Sequence, residues 1–150
     1  EFETSSERGW PLTVLFVDLD KFKRINDTHG HPFGDRVLRT AAQLLEKSTR
    51  DRDIVGRYGG EEFLILLPGH NARAGEIVSQ RVLESFRQHR LVPDEGEAFN
   101  VTVSIGIAEQ IPGQGYPDVR SLVAAADRAL YEAKRLGRDR FRVARRPAGV

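Results

Sequence analysis

Two closely spaced pairs of carboxylates stand in two short stretches of the sequence: Asp18 and Asp20 at the start of "VDLDKFKRIND", and Glu61 and Glu62 in "RYGGEEFLILL". Each pair borders an apolar run, "PLTVLFV" before the first and "FLILL" after the second. A charge at the mouth of a buried strand is costly unless something compensates it. A bound cation is one compensation. Carboxylates beside a glycine turn suit Mg²⁺, which takes carboxylates, waters and phosphates as ligands. Such sites serve phosphoryl chemistry, where the metal neutralises phosphate charge and activates the attacking oxygen. Spacing alone leaves a second reading open, in which Asp18 and Asp20 cap a helix and the glutamates are solvated hairpin residues.

These residues need elements to position them. "PLTVLFVD" (11–18) predicts a buried strand ending at Asp18. "KFKRIND" predicts a short helix with Asp20 as its cap. After "GHPFG", the residues Val37, Leu38, Ala41, Leu44 and Leu45 recur at helical spacing up to about Lys47. "DIVGRY" and "EEFLILL" flank Gly59 and Gly60, which reads as a β-hairpin whose second strand, Phe63 to Leu67, is buried on both faces. Ile77, Val78, Val82, Leu83 and Phe86 give residues 72–89 an amphipathic helix. "NVTVSIGIA" alternates Val101, Val103, Ile105 and Ile107 with small or polar partners, the pattern of a half-buried strand. Leu122, Ala125, Ala126, Ala129, Leu130 and Ala133 mark another helix, closed by Gly137 at C′, and "RFRVA" is a last strand. This order predicts an α/β (α+β) sandwich, a largely antiparallel sheet covered by helices. Neighbouring strands lie about 4.8 Å apart, so Asp18 and Glu61 can share one cation if the first strand adjoins the hairpin.

Composition excludes several function classes. At 150 residues, the whole of 1–150 is expected to be a single domain with a proper core. The 23 basic and 22 acidic residues leave a net charge of +1, so no global field draws the chain to nucleic acid or to a membrane. Without cysteine there are no disulfides, thiolate metal sites or cysteine nucleophiles. No apolar run reaches the roughly 20 residues that span a bilayer, and no signal peptide is visible. The absence of methionine leads us to expect a piece of a longer protein. Arg138, Arg140, Arg142, Arg145 and Arg146 crowd the end of the chain without an aromatic stacking pattern for RNA.

"VDLDKFKRINDTHGHPFGD", "RYGGEEF", "VTVSIGIA" and "ADRALYEAKRLGRDR" resemble, in order, the successive signatures of GGDEF domains, the diguanylate cyclases. The resemblance runs from about Trp10 to Ala144, and Glu61 in place of the name-giving aspartate is an accepted variant. It implies a palm-like, ferredoxin-like fold similar to adenylyl cyclase catalytic domains. The implied activity is condensation of two GTP into cyclic di-GMP and two pyrophosphates, dependent on Mg²⁺ (or Mn²⁺), across a homodimer. The implied location is cytoplasmic, with no membrane contact by this domain. The family pattern normally opens with a segment ahead of the first strand, which this chain lacks; "EFETSSERGW" looks like the tail of the helix that follows it.

The resemblance also assigns roles. Asp18, the main-chain carbonyl of Leu19, and Glu61 would hold the metal; Glu61 would be the leading catalytic group, with Glu62 beside it. Asn26 and Asp35 would read the guanine edge, with Phe22 and His31 lining the pocket. For His29 and His31 a simple bracing of the turn remains an equal reading. Lys23 would face the phosphates and assist catalysis, together with Lys134 and Arg138 near a helix end, where basic residues also complement the helix dipole. Arg57 would stabilise transition-state charge or form a hairpin salt bridge. "RDRD" (50–53) is either a solvated charge run or, with Arg50, Asp53 and Arg81, a site where the product cyclic di-GMP inhibits. Non-catalytic GGDEF domains, which act as nucleotide sensors, usually lose the acidic turn or the metal aspartate. Both are present here.

Overall fold

The eight residues Leu12–Leu19 form a strand, β1, buried on both faces, and the remaining elements are arranged about it. The computed structural model describes residues 1–145; Arg146, the last of the C-terminal arginines, lies outside them. In chain order the elements are α1 (Phe2–Arg8), β1, α2 (Phe22–His29), α3 (His31–Lys47), β2 (Ile54–Gly59), β3 (Glu62–Pro68), α4 (Ala72–Gln88), β4 (Val103–Gln110), α5 (Val119–Arg135) and β5 (Arg140–Val143). The sheet order is β2-β3-β1-β4-β5. All its pairings are antiparallel except β4 with β5. The expected helix-covered, largely antiparallel sandwich is therefore the fold observed.

Alternation along each strand divides the core into two layers. Leu15 and Val17 of β1, Ile65 of β3 and Ile105 of β4 pack beneath α2, α3 and α4. Leu12, Val14 and Phe16 face the other way, against Leu122, Ala126 and Leu130 of α5.

Three expectations about faces are corrected. Along β3, Phe63, Ile65 and Leu67 are buried but Leu64 and Leu66 only half-buried, because α5 lies over β1, β4 and β5 rather than over the hairpin. β4 is the opposite case: its small residues Ser104, Gly106 and Ala108 are as buried as its large ones. They are small because α5 rests on them. A Cβ at Gly106 would lie 1.9 Å from the carbonyl oxygen of Ala126 and 2.4 Å from the nitrogen of Leu130. On α4, Ile77 is 53% exposed, while Gly75 and Ser79 take the inward positions. A side chain at Gly75 would meet Thr13 Cγ2 at 2.9 Å. Periodicity of large residues alone misassigns a helix whose closest contact is made by glycine.

The end of α5 agrees with expectation. The N–H of Gly137 donates to Lys134 O (3.3 Å) and that of Arg138 to Ala133 O (3.0 Å), the paired bonds of a Schellman motif. Gly137 takes the positive φ of 126° that the motif favours.

Candidate active site

The sheet register brings the two acidic stretches together. Asp18 is paired across β1 and β3 with Glu62, and across β1 and β4 with Ser104. Where β1 ends, the N–H of Leu19 donates to the carbonyl of Glu61 at 3.2 Å. In an antiparallel pair a residue's N–H and C=O point to the same neighbour, so the carbonyl of Leu19 also faces the hairpin. Gly59 pairs with Glu62, leaving Gly60 and Glu61 as the turn, with φ +41° at Gly60. The register skips Tyr58, a bulge that sets its ring edge-on against Phe16 with 5.0 Å between centroids. Arg57 Nε donates to Gly60 O at 2.9 Å, so this side chain braces the turn through the main chain rather than through a salt bridge.

Asp18 is 4% exposed and projects to the α5 side of the sheet, where Lys134 donates a hydrogen bond to its Oδ2. Burial pushes the Asp18 carboxyl above the ordinary range, Lys134 pulls it back, and the charges of Glu61 and Asp20 add to the rise. Glu62 is also raised, by burial first and then by the charges of Asp18 and Asp127, with Lys134 opposing. Five carboxylates thus stand against one ammonium. That excess of negative charge, with oxygen as the sole donor type, fits a hard cation. Among the described residues no three acidic or imidazole side chains close into a metal cage.

Asp20 does not cap α2, whose N-cap is Lys21 in a left-handed conformation (φ 57°) with no side-chain cap bond. Its carboxylate instead accepts from Ser104 Oγ (2.7 Å), Thr102 Oγ1 (2.7 Å) and the N–H of Asp139 (3.1 Å). Those partners lie 84, 82 and 119 positions away, so nothing near Asp20 in the sequence announces them.

Of the two proposed guanine-reading residues, Asn26 on α2 lies against Gly34 of α3, whereas Asp35 on α3 borders a separate cleft toward the hairpin. Oδ1 of Asn26 is buried against Gly34 with no hydrogen-bond partner, and a Cβ at Gly34 would lie 1.8 Å from it and 3.3 Å from Phe22 Cζ. Gly34 therefore seats the Asn26 carboxamide, a role the "GHPFG" turn reading missed. Phe22 is a core residue beneath this contact rather than an open pocket wall. Asp35 lines a cleft of about 510 Å³ shared with Leu38, Arg57 and Phe63. Lys23, His31 and Arg138 are exposed, and Lys134 is half-buried on Asp18. His29 is taken up in bracing, stacked on Phe99 with centroids 5.2 Å apart and planes 7° off parallel.

On the far side of the hairpin, Arg50, Asp53 and Arg81 border a common small cavity of about 60 Å³ with His70 and Ile77. Oδ2 of Asp53 accepts from the N–H of Arg50 (2.8 Å), while its Oδ1 is buried without a partner. Arg81 Nη1 donates to Ser48 O at 2.8 Å, which holds it at the rim.

Comparison with known proteins agrees with this geometry. The family described as "Diguanylate cyclase, GGDEF domain" matches residues 1–140. Diguanylate cyclase A of Treponema denticola is 40% identical over 137 residues, covering 91% of this chain and 36% of that protein. The chain spans about a third of the length of the curated relatives it matches. Among solved structures, the active GGEEF domain of a diguanylate cyclase from Vibrio cholerae superposes with a TM-score of 0.87 at 31% identity, covering 97% of this chain and 90% of that one. The GGDEF domain of DgcB from Caulobacter crescentus, solved in complex with c-di-GMP, gives a TM-score of 0.88 at 32% identity over 95% of this chain and 82% of that one. No helix among the described residues is long and apolar enough to cross a membrane.

Proposed function

We propose, given that the chain belongs to the GGDEF family of diguanylate cyclases, that it condenses two GTP into cyclic di-GMP and two pyrophosphates. The observation that carries this reading is the buried Asp18, held by Lys134 and set by strand register against the Gly-Gly-Glu-Glu turn. The 3′-hydroxyl of one GTP attacks the α-phosphorus of the other, a P–O bond forms, and pyrophosphate leaves. Repetition in the opposite sense closes the ring. Each chain offers one guanine site, so the two nucleotides meet across a two-fold homodimer.

Asp18, Glu61 and the Leu19 carbonyl would hold Mg²⁺ or Mn²⁺, which supplies charge neutralisation at the phosphates. The chain's own groups do the rest. Glu61 accepts the proton of the attacking hydroxyl, and Glu62 orients or assists it. Lys23, Lys134 and Arg138 neutralise triphosphate oxygens. Arg57 keeps the turn that carries Glu61 in place. Asp35 accepts from guanine N1–H and N2–H₂. With its oxygen seated against Gly34, Asn26 turns its amide hydrogens toward guanine O6 and N7, both acceptors. Adenine offers neither pattern.

That seat gives a test of the guanine site. Gly34→Ala should expel the Asn26 carboxamide and weaken GTP binding about tenfold or more, because buried polar partners are left unmatched. Unchanged GTP affinity in a folded Gly34→Ala protein would place the base elsewhere.

Product binding is assigned to Arg50, Asp53 and Arg81. The unpartnered Asp53 Oδ1 supports this, as does the short run of β2 that links the cavity to the Gly-Gly turn. Cyclic di-GMP held there inhibits by favouring one arrangement of hairpin or dimer over another. Calorimetry should show at least tenfold weaker cyclic di-GMP binding by Arg50→Ala than by the wild type. Equal affinities, or no binding by the wild type, would return "RDRD" to a solvated charge run.

A further inference from the structure

Two consecutive residues other than glycine, Arg138 (φ 64°) and Asp139 (φ 49°), are left-handed. Such a pair is strained and persists only where its surroundings hold it. Three side chains do so, the nearest in sequence being Arg140, whose Nε donates to Arg138 O at 2.9 Å. Arg87, from the last turn of α4, donates from Nε to both carboxylate oxygens of Asp139 (2.9 and 3.1 Å) and from Nη2 to its carbonyl (3.1 Å). Asp20 accepts the N–H of Asp139 while anchored by the hydroxyls of Thr102 and Ser104. Asp20 is 6% exposed and forms no ion pair among the described residues. A buried carboxylate given only to neutral donors is spent on geometry.

We propose that Asp20 is a positioning residue: its carboxylate fixes the left-handed turn at Arg138 and Asp139, and so sets where Arg138 meets the triphosphate. This rests on the reading of the site as a GTP half-site. Asp20 follows Asp18 and Leu19 directly and precedes α2, so one carboxylate ties the strand end, the start of the nucleotide helix and the phosphate-facing turn together. The role requires an acceptor, not a charge. An asparagine can keep its oxygen toward Asp139 N–H and Thr102 Oγ1–H, and donate from its amide to Ser104 Oγ, which accepts as readily as it donates. Alanine can do none of this.

The test measures binding of 3′-deoxy-GTP, which lacks the attacking hydroxyl and cannot turn over, by calorimetry alongside melting curves. Asp20→Ala should bind about tenfold or more weakly, equivalent to about 1.4 kcal/mol, while Asp20→Asn stays within about threefold of wild type. In a double-mutant cycle, Asp20→Ala should add little to Arg138→Ala, since the first acts through the second. If Asp20→Ala fails to fold, Thr102→Val, which removes one anchor at constant shape, should lower affinity in the same direction and lose that effect in the Arg138→Ala background. Asp20→Asn as weak as Asp20→Ala would overturn the proposal in favour of a charge or metal-ligand role. Full affinity in folded Asp20→Ala or in Thr102→Val, or additivity with Arg138→Ala, would also overturn it. A wild type that binds no 3′-deoxy-GTP removes the GTP reading itself, and this proposal with it.

Discussion

Asp18→Asn is expected to reduce cyclic di-GMP synthesis by about a thousandfold or more while leaving the melting temperature within a few degrees of wild type. The first half follows from the metal-site reading: the amide is neutral and a poor ligand for a hard cation, so the charge neutralisation that phosphoryl transfer needs is lost. The second half follows from the local electrostatics. Burial already opposes the Asp18 charge, with Glu61 and Asp20 adding to that opposition, so a neutral isostere relieves desolvation. Against this stands the lost pairing with Lys134, whose side chain is 34% exposed and can turn its ammonium to water. The two effects offset. Glu61→Gln should behave alike, since Glu61 sits on the turn and its main-chain bond to Leu19 is unaffected by the side chain. Activity measured by cyclic di-GMP formation, with melting followed by circular dichroism, decides this. Retained activity in either variant sinks the metal assignment, and lost folding sinks the stability argument.

Among the described glycines, Gly106→Ala should add the most damaging methyl group. Its Cβ would enter the backbone of α5, 1.9 Å from Ala126 O and 2.4 Å from Leu130 N, where no flexible side chain can yield. Relief requires the helix to lift off β4. Overpacking ordinarily costs about 1–3 kcal/mol, and a clash with helix backbone belongs at or above the top of that range. For a domain of this size, about 3 kcal/mol lowers the melting temperature by roughly 10 °C. The damage should also reach the site, because α5 carries Lys134 to Asp18. Thermal melting of Gly106→Ala against wild type is the measurement. An unchanged transition would mean that α5 does not rest on β4 as described.

What the sequence showed and hid follows one physical line. Features set by a residue and its close neighbours were legible: the Gly-Gly hairpin, the helix end with Gly137 at C′, and the strand that delivers Asp18. The meeting of Asp18 with the hairpin was legible only conditionally, because it depends on β1 pairing with β3. Features set by what packs on top were hidden. In "VTVSIGIA" the small residues read as a solvent face, yet Ser104, Gly106 and Ala108 are all buried and the backbone of α5 lies directly on Gly106. Asp20 sat where a helix cap belongs, and only the tertiary structure shows its partners across the sheet. Gly34 read as a turn residue although it lies within α3 and is needed bare to seat Asn26. Side-chain assignments for GTP, metal and product rest on placement, since Lys23, His31, Arg50 and Arg138 all end in solvent.

The central claim is that this domain joins two GTP molecules at a site split between two chains. Its most direct test is to incubate the wild-type protein with GTP and Mg²⁺ over a wide range of protein concentrations and identify the products by mass. The expected result is cyclic di-GMP with two pyrophosphates per molecule, no product from ATP, and specific activity that rises with protein concentration as dimers form. Unchanged GTP, release of GDP and inorganic phosphate, or turnover per chain independent of concentration would contradict it.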